Sequence, residues 1–229
     1  MKSPRPKFDA VCFDCDSTLT RIEGIDELAR RAGCEAEIGS LTEAAMNGTI
    51  PLEEVYAKRL DLVRPDRAAL AWLADRYAEE MTSGAAGTIV RLKRHGKAVY
   101  VVTSGLLQAV VPLARLLDLA PAQVHAVEVH LDPAGMYQGF DSCSPLCGGN
   151  GKAIVCRRIA ATHGNVAIVG DGMTDLAARA GGAYVVGYGG VINRDIMRQG
   201  ADCYVAAPSL IAILPALLTS EESRSDCGA

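Results

Sequence analysis

The chain has 229 residues, 49% of them hydrophobic and 22% charged, with a formal net charge of -4. That length buries a sizeable core, either in one large domain or in one domain carrying an inserted smaller one, and the weak negative charge offers no general attraction for nucleic acid or an anionic membrane. No apolar run is long enough to span a bilayer. The opening stretch Met1-Lys2-Ser3-Pro4-Arg5-Pro6-Lys7 is basic but leads into an acidic motif, so it is not read as a signal peptide. The eight cysteines are then expected as reduced thiols in the cytoplasm, and Cys143 with Cys147 lacks the second His or Cys pair that a zinc site needs.

The first element in chain order is the strand Ala10 to Phe13, which ends on Asp14 and Asp16. Residues two apart on a strand share a side, so the two carboxylates repel unless a cation or a shared proton holds them. Residues Thr20 to Ser83 then read as helices only, the signature of an inserted helical cap. Further strands are expected at Ala98 to Thr103, Val124 to Val129, Val166 to Val169, Ala183 to Val186 and Cys203 to Ala206, with amphipathic stretches such as Gly105 to Leu117 and Lys152 to Thr162 between them. This alternation predicts an α/β fold, a doubly wound parallel sheet covered by helices on both faces. Val129 to Phe140 alternates around Asp132-Pro133-Ala134-Gly135 and predicts a β-hairpin at the sheet edge. The expected organisation is a core of residues 1–19 and 84–218, a cap of residues 20–83, and a disordered tail of residues 219–229.

In such sheets ligands bind beyond the carboxyl ends of the strands, and the polar oddities fall there. Asp14 ends the first strand, Thr103-Ser104-Gly105 the second, and Gly170-Asp171-Gly172 with Asp175 the fourth, while Lys152 opens the helix before that strand. Taken singly, Ser104 could merely cap a helix and Lys152 could be a solvated charge. Together they suit attack on a phosphate monoester. A carboxylate approaching a phosphate faces repulsion of about 4 kcal/mol per pair of unit charges at 4 Å and an effective dielectric of 20, so cations must intervene. Magnesium suits Asp14, Asp16 and Asp171, with Asp175 in support. Lys152 adds a second positive charge, and Ser104 with the Gly105 amide and the helix expected to begin there would bind phosphoryl oxygens. Asp14 is then the nucleophile that forms an aspartyl-phosphate, and Asp16 the general acid and base. A calcium loop is the other use of Asp-x-Asp, but its twelfth position is Ile25 and its sixth is Leu19, which excludes it.

Asp14-Cys15-Asp16-Ser17-Thr18, Ser104, Lys152 and Gly170-Asp171-Gly172-Met173-Thr174-Asp175 resemble, in order, the four motifs of the haloacid dehalogenase superfamily. Within it the chain is most similar to the phosphoserine phosphatase family, through Glu23-Gly24-Ile25-Asp26-Glu27-Leu28, Met46, Arg59-Leu60 and Gly187-Tyr188-Gly189-Gly190. The resemblance implies hydrolysis of O-phospho-L-serine to serine and phosphate, the last step of serine biosynthesis. It also implies that Glu23 meets the substrate amino group, that Arg59 meets its carboxylate, and that Met46 and Thr174 complete the substrate site. The expected partner is a small molecule, with no nucleic acid or membrane, and the chain is expected to act as a monomer or homodimer.

The residues support Arg59 on their own account. Leu52, Val55, Tyr56, Leu60 and Val63 form one stripe on the helix Pro51 to Val63, and Arg59 falls inside it. A guanidinium there snorkels to the edge or holds an anion. Two departures from the family pattern are Leu106, where a second glycine often follows Ser-Gly, and Asn47, where glycine is common. Asn150 competes with Lys152 for the lysine position; Lys152 is preferred because it begins the pattern Val155, Cys156, Ile159. Two other readings stand beside phosphoserine hydrolysis: a phosphatase or phosphotransferase for another small phosphomonoester, and a receiver-type phosphoacceptor, which needs neither Asp16 nor a cap.

Overall fold

The computed structural model describes residues 6–47 and 49–225. Six parallel strands form one sheet in the order β3-β2-β1-β6-β7-β8. They are β1 (Ala10–Phe13), β2 (Ala98–Leu106), β3 (Val124–Val127), β6 (Val166–Gly170), β7 (Tyr184–Tyr188) and β8 (Cys203–Val205). β1 lies at the centre, with Ala10 paired to Ala98 of β2 on one side and to Val166 of β6 on the other. All four β1 side chains are buried, because a parallel strand flanked on both faces by helices has no solvent side. The chain leaves β1 toward β2 and later returns beside it as β6, so the crevice at the end of β1 is the topological switch point.

Helices α1 (Gly24–Ala32), α2 (Glu35–Met46), α3 (Leu52–Val63) and α4 (Arg67–Glu79) all lie between β1 and β2, followed by α5 (Ala85–Arg94). Their ends follow from local chemistry. Gly33 adopts φ 77° after α1, a left-handed stop that glycine takes without a Cβ penalty. Asp66 caps α4 by accepting the Ala69 amide at 2.7 Å. Beyond β2 come α6 (Leu107–Leu116), α7 (Gly151–His163), α8 (Met173–Ala177), α9 (Asp195–Gly200), α10 (Leu214–Leu217) and α11 (Ser220–Ser225). No helix among the described residues is long and apolar enough to cross a membrane, and the seven described cysteines are free.

Three expectations need correction. The expected second strand runs on to Leu106 and the helix begins at Leu107, two residues later than expected, because Leu106 is extended at φ -87° and ψ 124°. The run Val124 to Val129 is broken after Val127, and its last residue opens β4 (Val129–Leu131). β4 pairs with β5 (Tyr137–Phe140) as a separate two-stranded antiparallel sheet that follows the edge strand β3. The expected disordered tail is helical as far as Ser225. Thr219 and Glu222 form a reciprocal cap, with the Glu222 amide donating to Thr219 Oγ1 at 3.2 Å and the Thr219 amide to Glu222 Oε2 at 2.8 Å. Glu222 also accepts from the buried Lys97 ammonium at 3.1 Å. Residues 226–229 lie outside the described residues.

Candidate active site

The turn after β1 fixes both aspartates. The Asp14 amide continues the ladder by donating to Val169 O at 2.9 Å, and the Thr20 amide closes the loop on Cys15 O at 3.0 Å. Ser17 inside it takes φ 52°, a left-handed conformation, and donates its hydroxyl to Glu23 Oε1 at 2.6 Å. Asp14 points into the crevice, where Oδ1 accepts the Cys15 amide at 2.8 Å. Asp16 turns toward the helical insertion, and its Oδ1 accepts the Gly24 amide at 2.9 Å and the Tyr77 hydroxyl at 2.7 Å.

Lys152, 2% exposed at the start of α7, lies 2.6 Å from Asp14 Oδ2 and 2.7 Å from Asp175 Oδ1. Burial opposes its charge, but the Asp14 and Asp175 carboxylates outweigh burial and hold the ammonium above the usual lysine range. Gly170 makes the arrangement possible, since a Cβ there would sit 2.0 Å from Asp175 Cγ. Asp171 accepts from Arg194 Nε at 3.1 Å. Carboxylate oxygens of Asp14, Asp171 and Asp175 all lie within 4.8 Å of one another. Three acids share two cations, and negative charge is in surplus. Burial first, then the Asp14 charge against the opposing Arg194, leaves Asp171 up at about 6. Burial likewise pushes Asp175 up to about 7 against the pull of Lys152. A buried set of hard oxygen donors with uncompensated charge fits a divalent cation.

Two small adjoining cavities open from this centre. One, of about 20 Å³, is lined by Asp14, Asp16, Thr103, Lys152, Asp171 and Thr174. The other, of about 40 Å³, lies toward the insertion and is lined by Glu23, Tyr56, Arg59, Leu73, Tyr77 and Leu106 among others. Asp16, Glu23 and Ser104 border both. Arg59 is buried; its Nη1 donates to Thr42 Oγ1 at 3.3 Å, and its Nε has no hydrogen-bond partner among the described residues. A buried guanidinium with an idle donor on a cavity wall is a site for an anion. Burial, ahead of the Asp16 and Asp171 charges, raises the Glu23 pKa well above the ordinary carboxylate range. The same cause, opposed by the Tyr77 hydroxyl and reinforced by Asp14, brings Asp16 up to about 7.

The structure thus brings together Asp14, Asp16, Glu23, Arg59, Ser104, Gly105, Lys152, Asp171, Thr174 and Asp175. Some sit differently from the expectation. The carboxylates that converge for a cation include Asp175 in place of Asp16, whose side chain is committed to Gly24 and Tyr77. Gly105 lies in β2, not at a helix start, and its amide donates to Thr103 Oγ1 at 3.1 Å. Ser104 Oγ donates to Leu146 O at 2.7 Å. Asn150 is exposed where Lys152 is buried. Met46 ends α2, and its side chain lies outside the described residues. Asn47 accepts from Arg194 Nη1 at 3.3 Å. Sequence reasoning missed Tyr56, Tyr77 and Arg194. Tyr77 continues the buried stripe Leu70, Leu73, Ala74 of α4 and reads as core, and Arg194 belongs to no motif.

Comparison with known proteins agrees with this geometry. The model of the haloacid dehalogenase-like hydrolase family matches residues 11–179. Phosphoserine phosphatase of Rattus norvegicus is 33% identical over 199 residues, covering 86% of this chain and 88% of its own. A substrate-bound phosphoserine phosphatase complex superposes with a TM-score of 0.77 at 27% identity, over 93% of this chain and all of the other (100%). A phospho-aspartyl intermediate analogue of phosphoserine phosphatase superposes with a TM-score of 0.74 at 28% identity, with the same coverage of 93% and 100%. Matched by that family model over residues 11–179 and by a relative at 33% identity, the chain belongs to the haloacid dehalogenase-like hydrolases, with phosphoserine phosphatases among its relatives.

Proposed function

We propose that this protein is a magnesium-dependent phosphomonoester hydrolase that converts O-phospho-L-serine to L-serine and phosphate. The observation that carries the reading is the adjacency of two cavities of opposite character. The acidic centre with Lys152 suits a phosphoryl group, and the neighbouring pocket offers Arg59 with a free donor and the Glu23 carboxyl oxygens as acceptors for an ammonium. A zwitterion tethered to a phosphate fills both.

Asp14, Asp171 and Asp175 would hold the ion, which neutralises phosphoryl charge when bound. Lys152 shields Asp14 from the approaching phosphate on the other side. Asp14 attacks phosphorus; an Asp14 O–P bond forms and the P–O bond to serine breaks. Asp16 gives its proton to the departing serine oxygen. Water then attacks phosphorus, the Asp14 O–P bond breaks, and Asp16 takes the proton from that water. Ser104 Oγ would leave Leu146 O to donate to a phosphoryl oxygen. Leu106, Leu60 and Leu73 keep the amino-acid pocket dry, which strengthens the pairing of Arg59 with a carboxylate.

The test is a panel of phosphomonoesters assayed for phosphate release with and without magnesium. Phosphoserine should give the highest kcat/KM, with many phosphates released per chain and none after chelation. A different preferred ester would move the reading to another small phosphomonoester, and uptake of one phosphoryl group per chain without release would make the protein a phosphoacceptor.

A further inference from the structure

Two donors converge on one oxygen of Asp16. The Gly24 amide at 2.9 Å and the Tyr77 hydroxyl at 2.7 Å both reach Oδ1. The other oxygen, Oδ2, faces Gly105, where a built Cβ would lie 3.4 Å from it. Tyr77 is fully buried on α4, 61 residues along the chain from Asp16. The contact is tight enough to dictate the neighbouring residue, for a Cβ on Gly24 would fall 2.0 Å from the Tyr77 hydroxyl oxygen.

We propose that Tyr77 is a positioning residue for the acid, a statement that rests on the reading of Asp16 as proton donor. A carboxyl oxygen that accepts two hydrogen bonds is the carbonyl-like one, so the proton of the neutral acid resides on Oδ2. Tyr77 and Gly24 together choose which oxygen carries the proton, and that oxygen is the one facing Gly105, on a residue that lines the phosphoryl cavity. The hydroxyl also locks the carboxyl rotation, which an amide donor alone leaves freer. Since α4 belongs to the helical insertion and Asp16 to the end of β1, the acid is aimed only while the insertion is seated. A second tyrosine makes a parallel tie: Tyr56 on α3, one turn from Arg59, donates to Ser104 O at 2.8 Å.

The experiment compares kcat/KM, with magnesium, for a simple alkyl phosphate and for para-nitrophenyl phosphate, whose leaving group needs little protonation. Tyr77→Phe keeps the buried ring and removes the hydroxyl. It should lose up to about tenfold on the alkyl ester, the scale of one buried hydrogen bond, and about twofold or less on the aryl ester. Gly24→Ala, which displaces the hydroxyl without removing it, should show the same selective loss. In an Asp16→Asn background Tyr77→Phe should cost nothing more, since the group it positions is gone. Equal losses on both esters, a rise confined to the phosphoserine KM, or additivity with Asp16→Asn would overturn the proposal. Asp16→Asn alone separates the two layers. If it shows the alkyl-selective loss while Tyr77→Phe does not, the acid reading stands and the positioning role falls; if it lacks that selectivity, both fall.

Discussion

Arg194 Nε lies 3.1 Å from Asp171 Oδ2, with the two side chains 9% and 2% exposed. The carboxylate proposed to bind the metal therefore has a cationic partner from the protein itself, contributed by the loop after β7. Its second contact, to Asn47 Oδ1, joins that loop to the end of α2. Asp171 thus has a cation of its own beside it, while Lys152 pairs with Asp14 and Asp175, and removing Arg194 leaves a buried carboxylate in a cluster that already carries surplus negative charge.

Arg194→Ala should lower the stability of the metal-free protein by about 2 kcal/mol, the scale of a charged hydrogen bond lost from a buried pair. Saturating magnesium should recover much of the loss, because the ion supplies the missing charge. Urea unfolding at neutral pH with chelator and then with magnesium measures both. An unchanged midpoint in chelator would show that the pair contributes nothing.

The acids of the centre set the pH response. Asp16 at about 7, Asp171 at about 6 and Asp175 at about 7 lie above the unfolded value of 3.8. The folded state then binds more protons than the unfolded one between these values, so stability is full below pH 4 as far as these groups go and falls as pH rises toward 7. In chelator the melting temperature should fall between pH 5 and pH 8. With magnesium the fall should be smaller, since the ion binds the ionised forms. A melting temperature that rises over this range in chelator would contradict the burial argument.

Much of the centre was legible in the chain because its residues sit at strand ends, where a parallel sheet must gather them. Asp14 and Asp171 each follow an apolar run of strand length, Asp175 stands four residues further on, and Lys152 opens the helical pattern before the run that ends at Gly170. Arg59 was visible as a charge inside an apolar stripe. What could not be read is contact between elements distant in sequence. Tyr77 has the spacing of a core residue, and only the packing of α4 on the turn after β1 turns its hydroxyl to Asp16. The extent of β2 was misjudged for a local reason, since Leu106 and Leu107 are apolar and suit either a strand end or a helix start. The helical tail carried its own signal, Thr219 with Glu222 three residues on, which the polar composition obscured.

Lys152 holds two carboxylates at once, so Lys152→Ala should lower kcat/KM by about a hundredfold or more and destabilise the metal-free fold, while the exposed Asn150→Ala should leave both within about twofold. Steady-state kinetics beside thermal melts decide it. The reverse ranking would place the phosphoryl-binding cation elsewhere.

Arg59→Leu should separate recognition from stability. The buried guanidinium has an idle Nε and no carboxylate partner among the described residues, and replacing such a charge by an apolar side chain is often neutral or stabilising. Turnover of phosphoserine should fall on the order of thirtyfold or more in kcat/KM, the scale of one desolvated charge contact, while para-nitrophenyl phosphate is little affected. The melting temperature should hold or rise. Equal loss on both substrates would make Arg59 a support of the catalytic centre.

Covalent catalysis by Asp14 is tested by acid quench of the turning-over enzyme with phosphoserine and magnesium, followed by peptide mass analysis. A phosphoryl group should appear on the peptide that carries Asp14, present during turnover and lost once substrate is exhausted, with neither phosphorylation nor phosphate release in Asp14→Asn. Sustained phosphate release by Asp14→Asn, or a phosphoryl group on any other residue in the wild-type protein, would contradict it.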